Sequence, residues 1–309
     1  MIFKARPTRS DKYPVFVFIH GESFEWNSGN PYDGSVLAAY GKVVVVTFNF
    51  RLGILGFLKT GTGDDSKSNF GLVDQIAALV WVRENIAAFG GDRDSVTLMG
   101  HGTGAVCASL LTLSPMVLPG NEPLFHRAIL MGGTALADWA LADNPNDITY
   151  QVARKLNCPV GDVFEACLRE KHIDEIRDID VFIRPYATRF GPVVDSRIVP
   201  YEPLKSMTNF SGIFRRFELM YGVTEMESVH FLGAIPFTYG MLKKERDQEL
   251  RNYLRFTCKT RPEACINSIL SSYAANINIM DDEAYSSGGS NTAGKVRDSL
   301  WIFCQTPEQ

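Results

Sequence analysis

Apolar residues along this chain fall into two recurring patterns. Residues 14–20, PVFVFIH, and 43–50, VVVVTFNF, are unbroken β-branched and aromatic runs, the pattern of strands buried on both faces of a parallel sheet. Shorter runs of the same kind are SVTLM at 95–99, RAILM at 127–131 and FELMYG at 217–222. Before SVTLM, the residues Leu72, Ile76, Leu79, Val80, Val82 and Ile86 return at helical spacing, and Gly90-Gly91 supplies the stop. A further helix is expected over about 103–113, while 146–177 and 234–274 read as helical layers that cover the sheet. Strands alternating with helices predict the α/β class, with a doubly wound, mostly parallel sheet. The stretch DDEAYSSGGSNTAG at 281–294 is acidic and then Ser/Gly-rich, as surface loops are. With no internal repeat, the 309 residues read as a single domain.

Composition narrows the function classes. The chain is 45% hydrophobic and 21% charged, and its 31 basic and 35 acidic residues leave a net charge of −4. No basic stripe with interleaved aromatics is present, which argues against a nucleic-acid partner. No apolar run reaches the roughly 18 residues that span a bilayer, and the segment Met1 to Arg6 is too short and too soon charged for a signal peptide. Cys107, Cys158, Cys167, Cys258, Cys265 and Cys304 show no C-x-x-C metal spacing. The segment CPVGDVFEAC, Cys158 to Cys167, has a Pro-Val-Gly turn and either closes a small disulfide loop or holds two free thiols. Asn209-Phe210-Ser211 is the one N-x-S/T triplet, a candidate glycosylation site at Asn209.

The candidate chemistry sits in TLMGHGTGAVC, residues 97–107. A strand runs into a glycine turn and on into a helix, a shape shared by two kinds of site. Gly100, Gly102 and Ala105 match the G-x-G-x-x-G/A of dinucleotide folds. That site, however, belongs to the first βαβ unit and needs a carboxylate about 20 residues on, at the end of the next strand. Here at least two strands precede the turn, and RAILM ends in Gly132-Gly133-Thr134. KTGTGDDSKSN at 59–69 lacks the P-loop lysine pattern and reads as a surface turn. The other site of this shape is the G-x-S-x-G nucleophile elbow of the α/β-hydrolases, with Gly102 at the nucleophile position.

Three segments in order carry a resemblance: residues 14–58, from PVFVFIHGESFEWNSG to RLGILGFL; NFGLVDQIAALVWVRENIAAFGGD; and VTLMGHGTGA. The chain resembles the cholinesterase-like, type-B carboxylesterase family, and within it the neuroligins, over residues 13 to 230. The resemblance implies an α/β-hydrolase fold, incomplete at both ends. It also implies vestigial catalytic positions. Gly102 replaces the nucleophilic serine of G-E-S-A-G, and an Oγ at Thr103, or the thiol of Cys107, starts the helix and points elsewhere. The oxyanion segment is His20-Gly21-Glu22-Ser23-Phe24 where active relatives have consecutive glycines. A carboxylate at Glu22 opposes an oxyanion, where losing even one donor costs about 3 kcal/mol. MYGVTEMES at 220–228 places Glu227 on the triad-acid position, with Ser228 in place of the following glycine. No histidine follows at the expected distance of about a hundred residues: His230 is too close, and His20, His101, His126 and His172 all precede Glu227.

The resemblance therefore implies a catalytically inactive adhesion domain with a neurexin-type cell-surface partner. Glu225, Glu227 and Val229 would contribute to that interface, with calcium possible there and no other cofactor. Met226 and Ser228 depart from the family pattern. It further implies an extracellular location, joins Cys158 to Cys167, and leaves Cys107 as buried packing and the pairing of Cys258, Cys265 and Cys304 open. The family dimerises through C-terminal helices that this sequence largely lacks, and the absence of further strands predicts exposed sheet edges. The rival readings are a carboxylesterase with a non-standard nucleophile and a non-functional truncated fragment.

Overall fold

The computed structural model describes residues 1–4, 12–61, 67–224, 227, 243–258 and 262–275. The chain packs as two compact units that divide after Gly222. The first is built on a sheet of β1 (Ile2–Lys4), β2 (Tyr13–Ile19), β3 (Val44–Thr47), β4 (Gly91–His101), β5 (Arg127–Met131) and β6 (Glu218–Gly222). The strand order is β1-β3-β2-β4-β5-β6, with β1 antiparallel to β3 and every other pairing parallel. Helices α1 (Ser35–Gly41), α2 (Gly53–Phe57), α3 (Phe70–Asn85), α4 (Thr103–Leu111), α5 (Pro145–Lys155), α6 (Phe164–Arg169), α7 (Ile173–Arg177) and α8 (Pro203–Thr208) connect the strands.

The connectivity fixes where a site can form. The chain leaves β2 toward β3 on one side, then returns across β2 to β4 and proceeds the other way to β5 and β6. The segments leaving the carboxyl ends of β2 and β4 therefore part in opposite directions. That divergence marks the topological switch point, the place where open α/β sheets bind their ligands.

Burial explains the sequence pattern. All four residues of β3 are buried. In β2, Val15, Val17 and Ile19 are fully buried, whereas Phe16 and Phe18 are only half-buried. The expectation of equal burial on both faces is corrected there. On that face Phe16 has only the small cluster of Ala38, Val43 and Val45, and Phe18 packs on Tyr32 with centroids 4.5 Å apart. Residues Gly104 to Leu111 of α4 are buried throughout, as a helix apolar on all sides must be. On α3, Leu72, Ile76, Leu79 and Val82 face the core. That helix passes through a short 3₁₀ turn to Gly90, whose φ of 80° ends it.

Residues 146–177 are not one helical stretch. The chain leaves α5 at Lys155 and resumes in α6 at Phe164, with Cys158 joined to Cys167 across the break. Closing so short a loop constrains the unfolded chain by about 2.5–3 kcal/mol. The 59–69 turn has a closed neck, since the backbone N–H of Thr60 donates to Lys67 O at 2.8 Å. Its residues 62–66 lie outside the described ones.

In the second unit, α9 (Lys243–Thr257) and α10 (Pro262–Ala275) pack through Leu250, Leu254, Ile266 and Leu270. A disulfide between Cys258 and Cys265 ties them together. The pairing left open in the sequence carries the same signal as the first one: CKTRPEAC, like CPVGDVFEAC, places a proline between two cysteines and runs into a helix. Cys304, the 281–294 stretch and residues 234–242 lie outside the described residues.

Candidate functional site

The segment between β4 and α4 is an elbow in its backbone. Gly102 stands at the tip with φ 55° and ψ −120°, a conformation costly for any residue with a Cβ. Its N–H donates to Met131 O at 2.8 Å, which ties the tip to the end of β5, and its carbonyl accepts from Val106 N at 3.1 Å.

The flanking glycines have a different cause. A Cβ on Gly100 would stand 2.3 Å from the Gly104 backbone, and one on Gly104 would stand 2.2 Å from Ile19 O. Likewise a Cβ on Gly21 would meet His101 O at 2.4 Å, and one on Gly133 would meet Gly102 O at 2.2 Å. Strand ends and helix thus cross in direct backbone contact. At Gly102 alone among these, a Cβ meets nothing within 4 Å.

The segment that follows β2 lies beside the elbow. Glu22, Ser23 and Phe24 have φ of 92°, 55° and 59°, so three side-chain-bearing residues in succession hold a left-handed backbone suited to glycine. Their fold is pinned locally. Glu22 O accepts from Glu25 N at 3.1 Å, Phe24 O accepts from Gly53 N at 2.7 Å, and Phe24 N donates to Thr103 Oγ1 at 3.4 Å. The Glu25 carboxylate takes a two-pronged contact from Arg189, at 3.0 Å and 2.7 Å. Glu22 is half-buried and Ser23 exposed.

The histidines that precede Glu227 have their own surroundings. His20 is buried and stacked on Phe50, with centroids 4.4 Å apart. Its Nε2 has no hydrogen-bond partner among the described residues, and burial lowers its pKa. His126 Nδ1 accepts from Val96 N at 3.2 Å, its pKa lowered by burial and then by the neighbouring Arg127. His172 caps α7 by accepting from Asp174 N at 3.3 Å. His101 is exposed at the end of β4, paired in register with Met131. Cys107 is fully buried on α4, and burial pushes its thiol up to about 12. Thr103 is engaged by Phe24, as described above.

Of the other residues singled out in the sequence, Glu227 belongs to the second unit, where it accepts a hydrogen bond from Thr224 N. Glu225, Met226, Ser228, Val229 and His230 lie outside the described residues. Asn209 is exposed in the turn after α8. Among the described residues no group of three or more His, Cys, Asp or Glu could hold a metal ion. No helix there is long and apolar enough to cross a membrane.

A mostly parallel sheet with an intact elbow at its topological switch point defines an α/β-hydrolase fold whose elbow tip is glycine. Comparison with known proteins gives the same class and refines it. The carboxylesterase family pattern matches residues 2–301, and the chain belongs to that family. It is 43% identical to neuroligin-3 of Mus musculus over 244 residues, covering 78% of this chain and 29% of that protein. Neuroligin-2 of Mus musculus is 46% identical over 225 residues, 72% of this chain and 26% of that protein. Neuroligin-1 of Caenorhabditis elegans is 33% identical over 279 residues, 86% of this chain and 35% of that protein. The chain thus spans roughly a quarter to a third of the length of these curated relatives.

Proposed function

We propose that this chain is a non-catalytic, neuroligin-like adhesion domain that acts on the outer face of the cell by binding a neurexin-type cell-surface partner. One observation carries the reading. The elbow keeps its left-handed tip, yet the residue there, Gly102, offers no oxygen or sulfur to attack a carbonyl. Two further features point the same way: a carboxylate-bearing residue, Glu22, occupies the oxyanion segment, and the Phe24 N–H is spent on Thr103. On this reading Gly21, Glu22, Ser23, Gly102 and Glu227 are vestigial positions of a single esterase-type domain. Binding falls to the surface that includes Glu225, Glu227 and Val229, with calcium at the contact and a homodimer as the assembly of the whole protein.

Hydrolysis of nitrophenyl acetate and labelling by an organophosphate test the first half. Neither is expected, and stoichiometric labelling at any residue would overturn it in favour of a non-standard nucleophile. Gly102→Ser is expected to remain inactive, because a serine alone restores neither a general base nor the donors. Binding to a neurexin-type ectodomain, with and without a calcium chelator, tests the second half. Glu225→Lys should abolish it with expression unchanged. Undiminished binding by that variant, or none by the native chain, removes the interface.

A further inference from the structure

The surface around α8 carries features unrelated to the elbow. Tyr201 and Phe210 stack with centroids 4.1 Å apart and planes 12° from parallel. Lys205 Nζ lies 5.3 Å and 5.8 Å from the two centroids. Tyr201, Leu204 and Phe210 remain 40%, 44% and 46% exposed, an apolar and aromatic patch left in water. Within it stands Asn209, exposed, its backbone N–H donating to Lys205 O at 2.9 Å. Its carboxamide has no hydrogen-bond partner among the described residues.

We propose that Asn209 is an N-glycosylation site whose first sugar rests on the Tyr201–Phe210 pair. The two halves of the argument are independent. Asn209-Phe210-Ser211 is the acceptor triplet, exposed in a turn. The stacked rings, which cover one face of each other and share their π surface with the Lys205 ammonium, still leave ring surface in water to attract the positively polarised C–H groups of a pyranose. The glycan thereby covers apolar surface that the fold leaves wet. The donor is an oligosaccharide on a polyprenyl pyrophosphate. Asn209 Nδ2 bonds to the sugar C1 as the C1–O bond to pyrophosphate breaks. The Nδ2 proton passes to the transferase, and the lipid pyrophosphate leaves, with no change of oxidation state. This site is independent of the state of the elbow.

The full chain, secreted from insect cells behind a cleavable leader, provides the test. Trypsin releases the peptide Ser206 to Arg215, bounded by cleavage after Lys205 and Arg215. Most of the secreted material should carry a glycan on that peptide, removable by peptide-N-glycosidase and absent from Asn209→Gln. An unmodified peptide in the secreted native chain overturns the site. Native deglycosylation should lower the Tm of the wild type by about 2 °C and leave Tyr201→Ala unmoved. Phe210→Ala keeps the triplet and serves as the second variant. Equal losses in wild type and variants overturn the ring platform.

Discussion

The segment Glu22 to Phe24 stores backbone strain, and Glu22 is where it can be measured. Its φ of 92° lies outside even the left-handed helical well, and holding a side-chain-bearing residue in such a region costs about 1–3 kcal/mol. Replacing Glu22 by glycine removes that cost but returns about 0.5–1 kcal/mol of unfolded-chain entropy. Glu22→Gly should therefore be more stable than the wild type by about 1 kcal/mol. Glu22→Ala removes the same carboxylate and keeps the same strain, so it should show no gain. The difference between the two variants isolates the backbone term from the charge. Thermal unfolding followed by circular dichroism, at fixed pH and salt, should place Glu22→Gly about 2 °C above Glu22→Ala. Equal Tm values, or a less stable glycine variant, would refute the assignment of strain to this segment.

Three other outcomes follow from the same geometry. Gly104→Ala, with its Cβ 2.2 Å from Ile19 O, should cost at least about 3 kcal/mol by overpacking, whereas Gly102→Ala, which meets nothing within 4 Å, should cost only about 1–2 kcal/mol of φ strain; chemical denaturation of both orders them. Cys107, buried with its thiol pushed up to about 12, should stay unlabelled by iodoacetamide at pH 8 in the native chain and react once it is unfolded. Burial lowers the folded pKa of His20 and His126 below the ordinary 6.5, so the unfolded chain takes up protons that the native chain refuses, and stability should fall as pH drops from about 6.5. His20→Phe should flatten part of that slope and leave the share of His126, as denaturation midpoints across pH 5–7 would report.

The parts legible in the sequence were those set by continuous apolar runs. The strands β2 to β5 and the buried α4 announce themselves by residues suited to a sheet core, and the elbow by its glycines. β6 also reads as a strand from FELMYG, but the expectation that it is buried is corrected, since Met220 and Tyr221 are 66% and 82% exposed at the edge of the sheet. The three-residue β1 gives no such signal, because its pairing with β3 is decided by a partner forty or more positions away. The break between α5 and α6 was hidden for another reason: the helical spacing on either side remains in phase while the chain detours through the Cys158 loop. At the site, Glu22 drew attention by its charge. Its left-handed backbone was invisible, since the residues that normally betray such a conformation are glycines, and here Glu22, Ser23 and Phe24 hold it instead.

The persistence of an elbow whose tip is glycine has a physical explanation that needs no chemistry. Gly21, Gly100, Gly104 and Gly133 are where β2, β4, β5 and α4 meet backbone to backbone, and any Cβ there collides within 2.4 Å. The turn is thus a packing joint of the sheet, held further by the Gly102 N–H on Met131 O. The one position in the joint where a side chain is not dictated by packing is its tip. Open space surrounds Gly102, and its φ of 55° favours glycine over any other residue. Placing glycine there relieves strain, leaves no cavity and removes no hydrogen bond of the joint, so the fold does not depend on a nucleophile. A member of this family can therefore hold glycine at the elbow tip without losing its scaffold, and the surfaces around that scaffold stay available for binding.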